Sequence, residues 1–292
     1  MAESKVSSKR SDDDLFVVIL AGGIGSRFWP ASTPSRPKQL LALATDSPLV
    51  VDTFRRGAGI VPVNQVRLLA NARLTAAFQA LPEQWEDDVY WIEPRARGTC
   101  PALAWAAWSI ERECPGAVMI SLHSDHLIEP LDDFQRTISA AVELARNREI
   151  LVCIGAVPDR IETGYGYIQP GESIALESEI EASTVSAFHE KPNATNAERY
   201  LQEGYLWNTG MFVWKASTFL NEVRVNAPEI GACLPLLEES PEAFFDAVPE
   251  GPVDTMVLER SACVGVVQAS FSWDDMGSWE SLARNRAPDE DH

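Results

Sequence analysis

The chain has 292 residues, 46% of them hydrophobic, enough to bury the core of one large α/β domain or of a main domain with a smaller lobe. Its 43 acidic residues against 24 Lys and Arg give a formal net charge of -19, which excludes an extended nucleic-acid surface, because phosphate backbones are held by clustered cations. No run approaches the roughly 18 apolar residues of a membrane span, and the charged, Ser-rich start MAESKVSSKRSDDD lacks the apolar stretch of a secretory signal, so the reading is a cytoplasmic protein with a disordered tail at 1–14.

Apolar runs of strand length fall at 15–20, 66–70, 89–92, 117–122 and 150–157, and helical spacing falls between them at 100–113 and 132–146. This alternation predicts an α/β fold, a doubly wound and mostly parallel sheet with helices on both faces. Ligands of such sheets sit beyond the carboxyl ends of the strands. Gly22 follows the first strand, Glu93 closes the third and Asp125 follows the fourth, which makes these the first candidates. The run ALAWAAWSI reads as a packing helix with Trp105 and Trp108 in or beside the core. Beyond residue 157 the pattern loosens into Gly- and Pro-punctuated segments with short apolar runs at 211–214 and 263–268. These are read as strands added to the same sheet, giving one domain over 15–286, in halves 15–157 and 158–286, and a solvated end at 287–292. The cysteines Cys100, Cys114, Cys153, Cys233 and Cys263 are scattered and odd in number, without CxxC spacing, so reduced core thiols are expected.

The segment LAGGIGSRFWPASTPSRPKQLL directly follows the first strand. Gly22, Gly23 and Gly25 allow a tight turn that brings bare N–H groups against a phosphate, and Arg27 and Lys38 add cations nearby. The spacing is not that of a P-loop, and it fails the dinucleotide fingerprint because Phe28 stands where the third glycine belongs. A plain strand-to-helix turn is the bland alternative. Arg27, Pro30, Pro37 and Lys38 in the same stretch favour a phosphate site.

AGGIGSRFWP and RPKQLL are followed in order by EPRARGTCPALA, SDH, TGYGYI, HEKP, WNTGMF and WDDMGSW. Together they resemble the sugar-1-phosphate nucleotidyltransferases, especially the mannose-1-phosphate guanylyltransferases, over roughly residues 15–282. The resemblance implies a Rossmann-like, GT-A-like nucleotidyltransferase with a nucleotide-binding first half and a sugar-binding lobe in the second. It implies transfer of GMP from GTP to α-D-mannose 1-phosphate, giving GDP-mannose and pyrophosphate, with Mg²⁺ as cofactor. On the nucleotide side it points to Leu20, Ala21, Gly22, Gly23, Gly25, Ser26, Arg27, Lys38, Glu93, Arg97, Thr99, Ser124 and Asp125. Asp125 and Asp275 would hold the metal. Gly164, Tyr165, Glu190, Lys191, Asn208, Asp254 and Glu259 would line the sugar phosphate pocket, and Arg27, Lys38, Asp125 and Lys191 would carry the catalysis.

The residue types suit these roles. Hard Mg²⁺ takes carboxylate and phosphate oxygens. A carboxylate at Glu93 accepts from N1–H and the 2-amino group of guanine, a donor pair that adenine lacks; a strand-end surface acid is the alternative there. Gly98 stands where the pattern usually has Asn, His123 where it usually has Pro, and Pro252 where it usually has Ser. His123 and His126 lack HExxH spacing and further paired ligands, so zinc is not expected. Another sugar 1-phosphate, such as that of a heptose or glucose, another nucleotide, or a non-catalytic nucleotide-sugar-binding regulator remain as alternatives. No second domain is expected after WDDMGSW, and a homodimer is among the states left open.

Overall fold

The computed structural model describes residues 14–23, 26–33 and 36–285. The expected tails fall outside these residues except for Asp14, which pairs with Arg146. The strands are β1 Leu15–Leu20, β2 Val66–Asn71, β3 Tyr90–Glu93, β4 Val118–His123, β5 Leu127–Glu129, β6 Leu151–Ala156, β7 Tyr167–Ser173, β8 Ala182–His189, β9 Leu206–Lys215, β10 Val264–Gln268 and β11 Ser272–Asp274. Nine of them form one sheet in the order β3-β2-β1-β4-β9-β6-β10-β8-β7, and β11 pairs with β5 in a separate two-stranded ribbon. The β3-β2-β1-β4 half is parallel, with Val17 opposite Val66 and Leu15 opposite Val118. β6 and β10 are parallel as well.

Helices cover both faces, as the all-apolar β1 requires. Phe16, Val18 and Leu20 face a core closed by α3 Thr99–Glu113, α6 Ala216–Asn226, α7 Pro228–Gly231 and α8 Pro241–Ala247. Leu15, Val17 and Ile19 face the opposite core, closed by α1 Leu49–Ala58, α2 Ala72–Gln79 and α4 Leu131–Asn147. Helix α5 Ala194–Gln202 packs at the far end of the sheet through Ala197 and Tyr200. Helix α9 Trp279–Asn285 closes a small cluster of Phe28, Leu41, Leu49 and Met276. No helix among the described residues is long and apolar enough to cross a membrane.

The run at 211–214 lies, as expected, in a strand of the same sheet: it is the C-terminal part of the ten-residue β9, which lies antiparallel between β4 and β6 and separates the two parallel blocks. A strand buried on both faces is apolar whichever way it runs, so its direction leaves no pattern. The expectation of core thiols needs correction: the five cysteines are free, yet only Cys100 and Cys153 are buried and Cys263 is exposed.

The start of α3 explains one departure from the motif pattern. Gly98 has φ 82° and ψ 177°, a region essentially reserved for glycine. A Cβ there would stand 2.6 Å from the carbonyl oxygen of Gly251. The two backbones are laced by Cys100 N–H to Gly251 O at 3.1 Å and Gly251 N–H to Arg97 O at 3.0 Å. Asn, the usual residue of the pattern, has no room on this backbone. Gly98→Ala is therefore expected to lower unfolding free energy by about 2–3 kcal/mol, read from urea denaturation. An unchanged midpoint would mean that the contact relaxes freely.

Candidate functional site

The carboxyl ends of β1, β3 and β4 open into a cavity of about 400 Å³, lined among others by Gly22, Gly23, Gln39, Glu93, Thr99, His123, Ser124, Asp125 and Glu250. The glycine-rich segment is tied to the sheet by Ala21 N–H to Leu69 O at 2.9 Å and by Ser124 N–H to Leu20 O at 3.1 Å. Buried Gln39 fixes its far side, its amide donating to Ala21 O at 3.0 Å and to Gly23 O at 2.6 Å. A Cβ added at Gly23 would meet nothing within 4 Å, so the loop faces open space. Gly25 and the side chain of Ser26 lie outside the described residues. Arg27 is exposed and makes no ion pair among the described residues. Phe28, in place of a third glycine, is fully buried and packs on Trp279 at 5.2 Å between ring centroids, which ties the loop to helix α9.

Three distant motifs converge at the cavity mouth. Lys38, 4% exposed, donates to Asp125 Oδ2 at 2.8 Å and to the backbone carbonyl of Asp275 at 2.6 Å. Burial alone would raise the Asp125 carboxyl, but the charges of Lys38, His126 and His123 hold it below the usual carboxylate range. Asp275 reaches this point because Ser272 and Asp274 in β11 pair with Glu129 and Leu127 in β5, directly after Asp125. Asp275 Oδ1 accepts from Tyr165 Oη–H and from Gly277 N–H, both at 2.8 Å. Among the described residues no donor reaches Asp125 Oδ1 or Asp275 Oδ2.

The neighbouring Asp274 is spent on structure. Only 4% exposed, it accepts from Met276 N–H at 2.7 Å, from the Ser281 hydroxyl, and from Arg284 at 3.2 Å. These bonds hold its carboxyl below the usual range despite burial. They also hold Met276 at φ 48°, a left-handed conformation costly for a side chain. Asp274→Ala is expected to cost about 3–5 kcal/mol in urea unfolding near neutral pH, the cost of breaking a buried charge pair. Because the folded pKa is depressed, this contribution is present above 3.8 and fades as pH falls below it. Equal stability of variant and parent at pH 7 would contradict it.

Glu93 faces the loop from across the cavity, its Oε2 3.7 Å from where a Gly22 Cβ would stand. Burial pushes its carboxyl up to about 7, against a lowering hydrogen bond from the Arg97 backbone. Arg97 does not turn to the cavity. Its Nε donates to Phe245 O at 2.9 Å and its Nη2 reaches Asp246 O at 3.5 Å, at the end of α8. The Thr99 hydroxyl lines the cavity but accepts from Val253 N–H at 2.9 Å.

The sequence matches the nucleotidyl transferase family over residues 16–292. The chain belongs to that family. It is 38% identical over 286 residues to the mannose-1-phosphate guanylyltransferase of Escherichia coli strain K12, covering 92% of this chain and 59% of that protein. It is 35% identical over 283 residues to the alginate biosynthesis protein AlgA of Pseudomonas aeruginosa, covering 91% of this chain and 57% of that one. The chain thus spans little more than half the length of these relatives. Among solved structures it superposes with a TM-score of 0.85 on a Thermus thermophilus protein described as mannose-1-phosphate geranyltransferase, at 29% identity over 94% of this chain and 80% of that one.

A second group of acidic residues gathers around Asp254. Asn208 donates to Asp254 Oδ1 at 2.8 Å, and a Cβ at Gly166 would stand 2.8 Å from Glu190 Oε2 and 3.4 Å from Asn208 Cβ. Burial, then the charge of Glu190, raises the carboxyls of Asp254 and Glu259. Asp254 opens a five-residue π-helical turn, Asp254–Leu258, a geometry common where a side chain is aimed at a site. Lys191 is exposed at φ 45° and pairs with Glu190 Oε1 at 2.6 Å. Gly164 lies in an exposed turn, its N–H on Glu162 Oε1 at 2.9 Å. Tyr165, expected at the sugar, is directed instead to Asp275, and its ring packs on Trp207 and Trp273. Gln39 and Glu250 were not singled out from the sequence. Gln39 carried a signal, standing beside Lys38 in the PKQ motif, whereas nothing local marks Glu250.

Proposed function

We propose that this chain transfers GMP from GTP to α-D-mannose 1-phosphate, giving GDP-mannose and pyrophosphate. The observation that carries the reading is the convergence of Lys38, Asp125 and Asp275 beside the glycine-rich cavity, each aspartate keeping one carboxylate oxygen open. Two open carboxylate oxygens suit Mg²⁺, which when bound would offset the charge building up between the two phosphate groups. The names carried by the similar proteins favour mannose 1-phosphate and GTP.

In this reading the backbone amides of Gly22 and Gly23, with Arg27, receive the triphosphate, and Glu93 accepts the two N–H donors of guanine. Glu190, Asn208 and Asp254 accept or donate to the sugar hydroxyls, and Lys191 exchanges Glu190 for the acceptor phosphate. A phosphate oxygen of the sugar phosphate attacks the α-phosphorus in line, and the pyrophosphate oxygen leaves from the opposite side. That attacking oxygen is already ionised near neutral pH, so the protein supplies no general base. Its contribution is alignment and fixed positive charge, with Lys38 held by Asp125 and Asp275 at the cavity mouth. The same reading puts the enzyme in the cytoplasm.

Pyrophosphate release tests this, with Mg²⁺, each common nucleoside triphosphate, and mannose, glucose or heptose 1-phosphate. Release confined to GTP with mannose 1-phosphate is the expected result. Release with a different pair overturns the specificity, and none with any pair favours a non-catalytic nucleotide-sugar-binding protein.

A further inference from the structure

His123 closes β4 and lines the same cavity as Asp125, yet the reaction proposed above gives it no task. Its ring centroid is 4.8 Å from that of His126, and among the described residues neither ring nitrogen has a hydrogen-bond partner. The ring fills room left by Gly210, which sits at φ 72°; a Cβ there would stand 2.7 Å from His123 Nε2.

The donor atoms of His123, Asp125 and His126 lie within 4.8 Å of one another. A divalent ion with bonds near 2.1 Å spans donors about 4.2 Å apart across its centre, so a closure of roughly half an ångström brings such atoms onto one ion. His126 is not available for this. Its Nδ1 accepts from Trp273 Nε1–H at 3.1 Å, so the neutral ring carries its proton on Nε2 and has no second lone pair. His123 has no such commitment, and Asp125 Oδ1 and Asp275 Oδ2 are open.

We propose that His123 joins Asp125 as a ligand of the divalent ion, which sets an imidazole beside carboxylate oxygen and makes the site take Mn²⁺ in preference to Mg²⁺. This rests on the aspartate metal site proposed above. Mg²⁺ prefers oxygen donors throughout, whereas imidazole suits the first-row transition ions.

Pulsed electron paramagnetic resonance on the Mn²⁺-loaded protein with GTP tests it, with ¹⁵N-histidine labelling to separate imidazole from guanine nitrogen. The expected spectrum contains a directly bound ¹⁵N coupling that disappears in His123→Ala. That variant should still bind Mn²⁺, but at least about 10-fold more weakly, the lower end of what even outer-shell changes cost, with Mg²⁺ affinity within about twofold of the parent. Circular dichroism confirms that the variant is folded, and His123→Gln repeats the comparison with a side chain of similar reach. Mn²⁺ binding that is lost in Asp125→Asn but shows no histidine coupling in the parent overturns the role of His123 and leaves the aspartate site standing. Coupling that survives His123→Ala and vanishes in His126→Gln assigns the wrong imidazole. Mn²⁺ binding indifferent to Asp125→Asn overturns both readings.

Discussion

Asp125→Asn is expected to lower turnover by about 10³ or more while the protein stays folded, a loss of about 4 kcal/mol of transition-state stabilisation. The side chain has two duties on two different oxygens. Oδ2 holds Lys38, and Oδ1 is open to a divalent ion. Asn keeps the shape and can still accept from Lys38 through its amide oxygen, but the charge is gone and with it half of the carboxylate pair. Lys38 retains the carbonyl of Asp275 at 2.6 Å, so it is not stranded. Unfolding free energy should therefore fall by only about 1–3 kcal/mol, below the range for leaving a buried charge without a partner. Asp275→Asn should behave alike, whereas Asp274→Ala should lose stability first. Steady-state kinetics and urea unfolding on the three variants separate these outcomes. Near-parental turnover in Asp125→Asn would remove that residue from the metal site.

Glu93 should make GTP binding depend on pH in the neutral range. Its carboxyl titrates at about 7, because burial disfavours the charged form. Only the ionised carboxylate is a pure acceptor for both N–H donors of guanine. The KM for GTP should therefore fall as pH rises from 6 to 8, by up to about tenfold per pH unit below the pKa and then levelling off. Glu93→Gln should abolish that dependence. It should raise KM by about 10–100-fold, the value of one charged hydrogen bond, and leave kcat nearly unchanged, because the base is remote from the reacting phosphorus. The sign for folding is the opposite one. A carboxyl whose pKa is raised from 4.5 to about 7 contributes stability that is complete below 4.5 and lost as pH rises through 7. In the free protein Glu93→Gln should thus be more stable than the parent at pH 8. A KM for GTP that is flat from pH 6 to 8 in the parent would remove Glu93 from the base site.

The readable part of this protein lies in what local chemistry constrains. A six-residue strand buried on both faces must be apolar throughout, so LFVVIL announced β1 and the doubly wound half of the sheet. The glycines after it, Lys38 and Asp125 were marked by residue type and by their place behind a strand, and Asp275 of WDDMGSW by the resemblance of its motif. What the linear sequence did not hold is where each polar atom is directed once the chain is folded. WDDMGSW contains two adjacent aspartates, and only the pairing of β11 with β5 turns Asp274 inward onto Met276, Ser281 and Arg284 while Asp275 meets Lys38 and Tyr165. Arg97 belongs to a nucleotide-side motif, yet its guanidinium is directed to the carbonyls at the end of α8. The insertion of β9 between β4 and β6 left no trace in periodicity, because antiparallel and parallel strands buried on both faces draw on the same side chains. Propensity and burial act within a few residues and can be read in order. Hydrogen-bond partners drawn from segments far apart in the chain, such as Lys38 and Asp275, are decided only when the sheet brings those segments side by side.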